Sequence, residues 1–260
     1  MIIGISGRKQ AGKNTTANIL HGIVLKKQGL IKDWNIGGKG ELNILTDNAS
    51  GEEGWGVFDI ARKDGAFIEY AEHSMWPYVK LYSFADELKR ICVELFNIPY
   101  ECVYGTDEQK NQPQEHLLWD NMPKTFSSKM RKVFTEAPDA LRSWEWKQGP
   151  MTAREFMQFF GTDICRNAFQ PIWVNACLNK IKREKSQLAI IADVRFGNEA
   201  KAIEEAGGKL VRLTRNIYND DHSSEVALDD YPFTNYIDNS DTNIDDLTVK
   251  VKKFYNHLKE

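Results

Sequence analysis

The sequence lacks the features that would place it in several broad classes. Its 260 residues hold no apolar run of about 18, so no membrane-spanning helix is expected. The four cysteines, Cys92, Cys102, Cys165 and Cys177, stand at irregular spacings with no CxxC. That excludes the usual zinc and disulfide frameworks and suits a reducing compartment. Positive charge is not in excess: 34 Lys and Arg against 37 Asp and Glu give a formal charge of −3. A broad nucleic-acid face is therefore not expected, and any anion-binding cations must be gathered by the fold. The chain opens directly into an apolar segment with no charged leader or cleavage-like site, so a cytoplasmic location is expected. Repeats and low-complexity tracts are also missing.

What is present is an alternation of strands and helices. Residues 2–6 (IIGIS) read as a short strand, and Ile19, Leu20, Ile23 and Val24 then follow a helical stripe. Val79 to Phe84 reads as a buried strand, followed by a helix carrying Leu88, Ile91, Cys92 and Leu95. Residues 152–165 read as helical, and Pro171 opens a helix bearing Val174, Cys177, Leu178 and Ile181. The run LAIIADV is a continuous apolar strand, and the short helix after it stops at Gly207-Gly208. KLVRLTR is a further strand, and NYIDNSD leads into a last helix with Ile244, Leu247, Val251, Phe254 and Leu258 in register. Strands apolar throughout and separated by helices predict an α/β fold, with a central parallel sheet and helices on both faces. Two stretches break the pattern. Residues 29–78 are rich in glycine, with Trp34, Trp55, Trp76 and runs such as AFIEYA that can pair as strands. Residues 101–150 are rich in charge, proline and tryptophan and suggest a small helical lobe. The expectation is a single domain over 1–260 with insertions at about 29–78 and 101–150.

The first turn carries chemistry. Gly7-Arg-Lys-Gln-Ala-Gly12-Lys13 satisfies G-x-x-x-x-G-K between a strand and a helix. Glycines there allow a tight loop whose backbone N–H groups face phosphate oxygens, and Lys13 brings a charge to the terminal phosphates. Lys9, Gly12, Lys13, Asn14, Thr15 and Thr16 form the expected ATP-binding set. Asn14 stands where a metal-binding hydroxyl is usual, with Thr15 and Thr16 next; which of the two approaches a metal stays open. A GTP switch would carry NKxD. The NK at Asn179 continues as NKIK, without the aspartate.

Four further stretches stand behind the loop in order: SFADELKR, YGTDEQKN, REFMQFFGTDICR and DVRFGNEA. Together with the loop they resemble the deoxynucleoside monophosphate kinases of tailed bacteriophages over most of the chain. The resemblance implies a P-loop kinase fold with a mobile lid. It further implies transfer of the γ-phosphoryl of ATP to a dNMP with Mg²⁺, giving dNDP and ADP. By the same match Lys89, Lys110, Arg154, Gln158, Gly161, Thr162, Trp173 and Asp193 fall at acceptor-binding positions. Asn14 replaces an aspartate common in the family, and Lys110 stands where some members have arginine.

The residues themselves agree in kind. Phosphoryl transfer needs cations that gather two repelling anions, and Lys13, Lys89, Arg154 and Arg195 are the candidates. Of these, Lys13, Arg154 and Arg195, with Asp193, form the expected catalytic set. Asp193 ends a strand at the carboxyl edge of the sheet, where it can order Mg²⁺ together with Thr15, or cap the next helix. Trp173 can stack on a base or fill the core, and Gly161-Thr162 can close on the acceptor or simply end a helix. Arg154, Lys89 and Arg195 each have an ordinary surface reading as well. His222 in DDHSSE fits a lid loop, and DNSD (238–241) fits the adenine side. The expected partners are ATP and a dNMP, with no nucleic acid and no membrane; monomer and homodimer are both compatible. Other acceptors (a ribonucleoside monophosphate or dephospho-coenzyme A) and a non-catalytic ATP-binding regulator are the competing readings.

Overall fold

A computed structural model describes residues 1–47, 50–62, 64–122, 147–216 and 227–259. The described chain divides into two compact units, Met1–Phe84 with Val174–Glu260, and Ala85–Trp173.

The first unit is built on five parallel strands in the order β10-β9-β1-β8-β5. These are β1 (Ile2–Ser6), β5 (Val79–Tyr82), β8 (Leu188–Val194), β9 (Lys209–Leu213) and β10 (Tyr236–Ile237). Alternation along β8 explains the unbroken apolar run. Leu188, Ile190 and Ala192 enter one core, and Ala189, Ile191 and Val194 enter the other. On the first face lie α1 (Lys13–Lys27), α2 (Gly65–Ser74) and the last helix α9 (Ile244–His257), which contributes Leu247, Val251 and Tyr255. On the second lie α7 (Ile172–Glu184), through Val174, Cys177, Leu178 and Ile181, and α8 (Gly197–Glu205), through Ala200 and Ile203. This is the α/β arrangement of a P-loop kinase fold.

The stretch from residue 29 to 78 is ordered rather than irregular where it is described. β2 (Asp33–Ile36), β3 (Leu42–Asp47) and β4 (Glu53–Val57) form an antiparallel sheet in that order. The AFIEYA run is helical, not a strand, because it lies within α2. Asp64 caps that helix by accepting the Phe67 N–H, and Phe67 and Ala71, four residues apart, both reach the core.

The second unit holds α3 (Asp86–Glu94), α4 (Tyr100–Tyr104), α5 (Asp107–Lys110) and α6 (Ala153–Gln158). A two-stranded antiparallel pair, β6 (Pro113–Leu118) with β7 (Pro150–Thr152), completes it. Its own core gathers Cys92, Ile98, Val103, Met151, Phe156 and Phe159. The FGTD segment does not end its helix. From Phe159 to Arg166 the chain widens into a π-helix that continues α6, a distortion that often marks functional positions. No described helix is long and apolar enough to cross a membrane.

Candidate active site

The glycine loop leaves β1 at Ser6 and enters α1 through Gly12, whose φ of 91° lies in the left-handed region that glycine tolerates. Lys13 Nζ donates to the carbonyls of Gly7 and Arg8, each at 2.7 Å, so the ammonium folds back onto the loop backbone. Lys9 and Asn14 are exposed, and Thr15 is half-buried. Thr16 is fully buried, and its Oγ1 finds no partner among the described residues.

A strut missed in the sequence holds this loop. Asn239 is buried; its Nδ2 donates to the Ala11 carbonyl at 2.8 Å, and its Oδ1 accepts the Arg215 N–H at 2.9 Å. Its own N–H donates to the Thr214 hydroxyl at 3.1 Å. One side chain thus ties the glycine loop to the segments following β9 and β10. Thr214 also donates to Asp238 Oδ1 at 2.8 Å, and that bond holds the Asp238 carboxyl below the usual carboxylate range. DNSD therefore works through an asparagine side chain, which nothing in a single sequence separates from ordinary loop polarity.

Two arginines were also missed. Arg8, the first variable residue of the loop, pairs with Asp229. Arg212 on β9 reaches the same carboxylate at 2.6 Å and donates to Ser6 Oγ at 2.9 Å. With Thr214, Asn216, Phe233 and Tyr236 they line a cavity of about 250 Å³ beside the loop. That is below the roughly 300–1,000 Å³ of pockets that enclose a whole small molecule, so it suits part of a nucleotide.

Asp193 lies at the carboxyl end of β8. It accepts the Ser83 hydroxyl at 2.6 Å on Oδ2 and the Phe84 N–H at 3.4 Å on Oδ1. It does not cap the following helix. That task belongs to buried Glu199, which accepts the Arg195 and Phe196 N–H groups at 2.9 and 3.2 Å. Arg195 is exposed, and its backbone N–H is one of the two groups that Glu199 satisfies.

The remaining expected residues all lie in the second unit. Arg154 bridges to Asp107 at 2.5 Å, while its Nε is buried without a partner among the described residues. Neighbouring Glu155 is occupied elsewhere, in a capping box with Thr152 and a salt bridge to Lys147 at 2.5 Å. Arg154, Gln158 and Thr162 recur at four-residue intervals, the spacing of one helix face, and the last two are exposed. Lys89 Nζ lies 5.0 Å from the centre of the Tyr104 ring. Lys110 is half-buried at the end of α5, a helix fixed by a Thr106–Gln109 capping box. Trp173 is buried at 4% exposure and donates its indole N–H to the Gly161 carbonyl at 2.9 Å. Gly161 is closely packed: a Cβ there would stand 2.6 Å from Leu88 Cδ2. His222 lies outside the described residues.

A parallel α/β sheet with a lysine-closed glycine loop, and a separate unit that carries Lys89, Lys110 and Arg154, define a kinase of small anionic substrates. Residues 87–251 match the deoxynucleotide monophosphate kinase family, and the chain belongs to it. It is also similar to a protein of Acanthamoeba polyphaga mimivirus that carries, provisionally, the name deoxynucleotide monophosphate kinase. The two are 31% identical over 160 residues, covering 56% of this chain and 67% of the relative. The protein is thus an enzyme that phosphorylates deoxynucleoside monophosphates. The family match takes in Arg154, Asp193 and Asn239, while the glycine loop and the β2–β4 sheet precede it.

Proposed function

We propose that the enzyme transfers the γ-phosphoryl group of ATP to a dNMP, releasing dNDP and ADP, and supplies DNA precursors in the host cytoplasm for a bacteriophage. The observation that carries the donor assignment is the loop itself, with Lys13 held by the Gly7 and Arg8 carbonyls and the loop braced by Asn239. Gly12, Asn14, Thr15 and Thr16 provide backbone and hydroxyl groups for the donor phosphates, and Lys9 lends further positive charge. Arg8 and Arg212 join that set.

An oxygen of the acceptor's phosphate attacks the γ-phosphorus as the bond from that phosphorus to the β-phosphate oxygen breaks, and ADP carries away the electron pair. The attacking oxygen is already ionised, so no general base is needed. The protein's task is positioning and charge neutralisation. Lys13 neutralises the donor side. Lys89, Lys110 and Arg154 hold the acceptor phosphate, and Arg154 can exchange its exposed Asp107 partner for that phosphate. Gln158 and Thr162 offer polar contacts to the acceptor. Trp173 acts through Gly161, whose carbonyl it fixes. Arg195 adds a further charge.

Mg²⁺ is the expected companion of ATP. The donor set fits a magnesium ion that arrives with its nucleotide: one strand-end carboxylate, Asp193, with the Thr15 hydroxyl, and no cluster of three metal-ligating side chains among the described residues. Asp193 and Thr15 would hold it or its waters, and the ion would neutralise charge on the transferring group. Ser83 keeps the Asp193 carboxylate oriented.

The test is ADP release by the purified enzyme with each dNMP, each NMP and dephospho-coenzyme A supplied separately. Release that depends on one or more dNMPs supports the assignment. Release with ribonucleotides or dephospho-coenzyme A alone would reassign the acceptor. ATP binding without acceptor-dependent release would favour a regulatory role.

A further inference from the structure

The antiparallel sheet inserted after α1 precedes the family match, and nothing in the reaction above uses it. It is nonetheless fastened along the helix that begins with Lys13. At one end Trp34 lies over Gly22, where any Cβ would collide with the indole. At the other, the β2–β3 turn Gly37-Gly38-Lys39-Gly40 reaches the first turns of α1. Asn18 Nδ2 donates to the Gly40 carbonyl at 2.8 Å, and Gly40 packs so closely on the Thr15 hydroxyl that no Cβ fits between them. Gly40 also has a φ of 83°, open to glycine at little cost. The turn closes on itself through Gly40 N–H to Gly37 O and Gly37 N–H to Glu41 O, both 2.9 Å. Glu41 is turned inward, accepting the Lys39 N–H at 2.9 Å.

The one cation of this turn is exposed Lys39. Its Cα is one peptide, about 3.8 Å, from that of Gly40. A four-carbon stem extends its ammonium by roughly 6 Å more. Thr15 lies in the first turn of α1, directly after the glycine loop whose backbone cradles the α- and β-phosphates in such motifs. Resting on the donor reading of the loop, we propose that the β2–β3 turn is a second wall of the donor site. Gly40 positions Thr15, and Lys39 meets the α-phosphate side of the nucleoside triphosphate.

The experiment measures kcat and the KM of each substrate for the Lys39→Ala, Lys39→Arg, Gly40→Ala and Lys32→Ala variants. Binding of a non-hydrolysable ATP analogue to Lys13→Ala is measured alongside. Lys39→Ala should raise the donor KM about tenfold, as expected for one lost charge-assisted contact, with the acceptor KM within about twofold. Lys39→Arg should recover most of that loss. Gly40→Ala should raise the donor KM with its melting transition still cooperative. Lys32, at the far end of the sheet and paired with Asp47 and Glu53, should change neither KM. An unchanged donor KM in Lys39→Ala, while Lys13→Ala loses the analogue, overturns the second wall alone. Retained analogue binding in Lys13→Ala overturns the donor reading beneath it.

Discussion

His21 makes the stability of the loop-bearing helix depend on pH. The ring is fully buried in α1, and its Nδ1 lies 2.9 Å from the Ala17 carbonyl oxygen. A carbonyl only accepts, so Nδ1 carries the proton and Nε2 is bare; Nε2 has no partner among the described residues. Protonating it would bury a charge with nothing to receive its hydrogen bond. Burial therefore pushes the imidazole down from 6.5 to about 4. Between those values the unfolded chain binds a proton that the folded chain refuses, so stability is complete above 6.5 and falls as the pH drops toward 4. At about 1.4 kcal/mol per pH unit the full loss is about 3 kcal/mol, of which about 2 is gone near pH 4.5. Urea denaturation near pH 7 and pH 4.5 should show this against His21→Leu, which cannot titrate. The wild type should lose about 2 kcal/mol more than the variant over that interval. Equal losses in the two proteins would refute the reasoning, since every other titrating group is common to both.

Three other outcomes follow from the geometry. Asn239→Ala strands the Ala11 carbonyl and the Arg215 N–H at about 1–3 kcal/mol each, so Tm should fall by roughly 5–10 °C and the donor KM should rise more than the acceptor KM. An unchanged melting curve would remove the strut. Gly161→Ala should cost about 1 kcal/mol through Leu88, and Leu88→Ala in the same chain should cost less than it does alone; strict additivity in the double-mutant cycle argues against the contact. The proposal that Mg²⁺ arrives with its nucleotide predicts that chelation with EDTA stops turnover without moving Tm; a large drop in Tm would reveal a structural metal.

Legibility in the sequence followed the physics of each element. Strands buried on both faces left unbroken apolar runs, so β8 and the order of the sheet's helices could be read directly. The glycine loop was equally legible, since its residue types are dictated by backbone geometry. AFIEYA misled because a six-residue run, apolar but for Glu69, has no decisive period, and the deciding group, Asp64, lies just before it. Asn239, Arg8 and Arg212 were invisible because they matter only through partners 17 to 228 positions away in the chain. Glu199 is buried and satisfies the Arg195 and Phe196 backbone N–H groups, a role that depends on where the helix starts and so leaves no mark in the residue pattern.

The place of β1 in the sheet also sets a clock. It lies between β8 and β9, pairing Ile2 with Ala189 and Ile3 with Lys209. At about 5–20 residues per second, a ribosome needs roughly ten to forty seconds to deliver those partners after the first strand emerges. Meanwhile Ala85–Trp173 is one uninterrupted stretch with its own core, able to condense first. The glycine loop takes its shape late, when Asn239 at last arrives to brace it. Nascent chains halted before residue 188 should therefore expose an unpaired apolar β1 to chaperones.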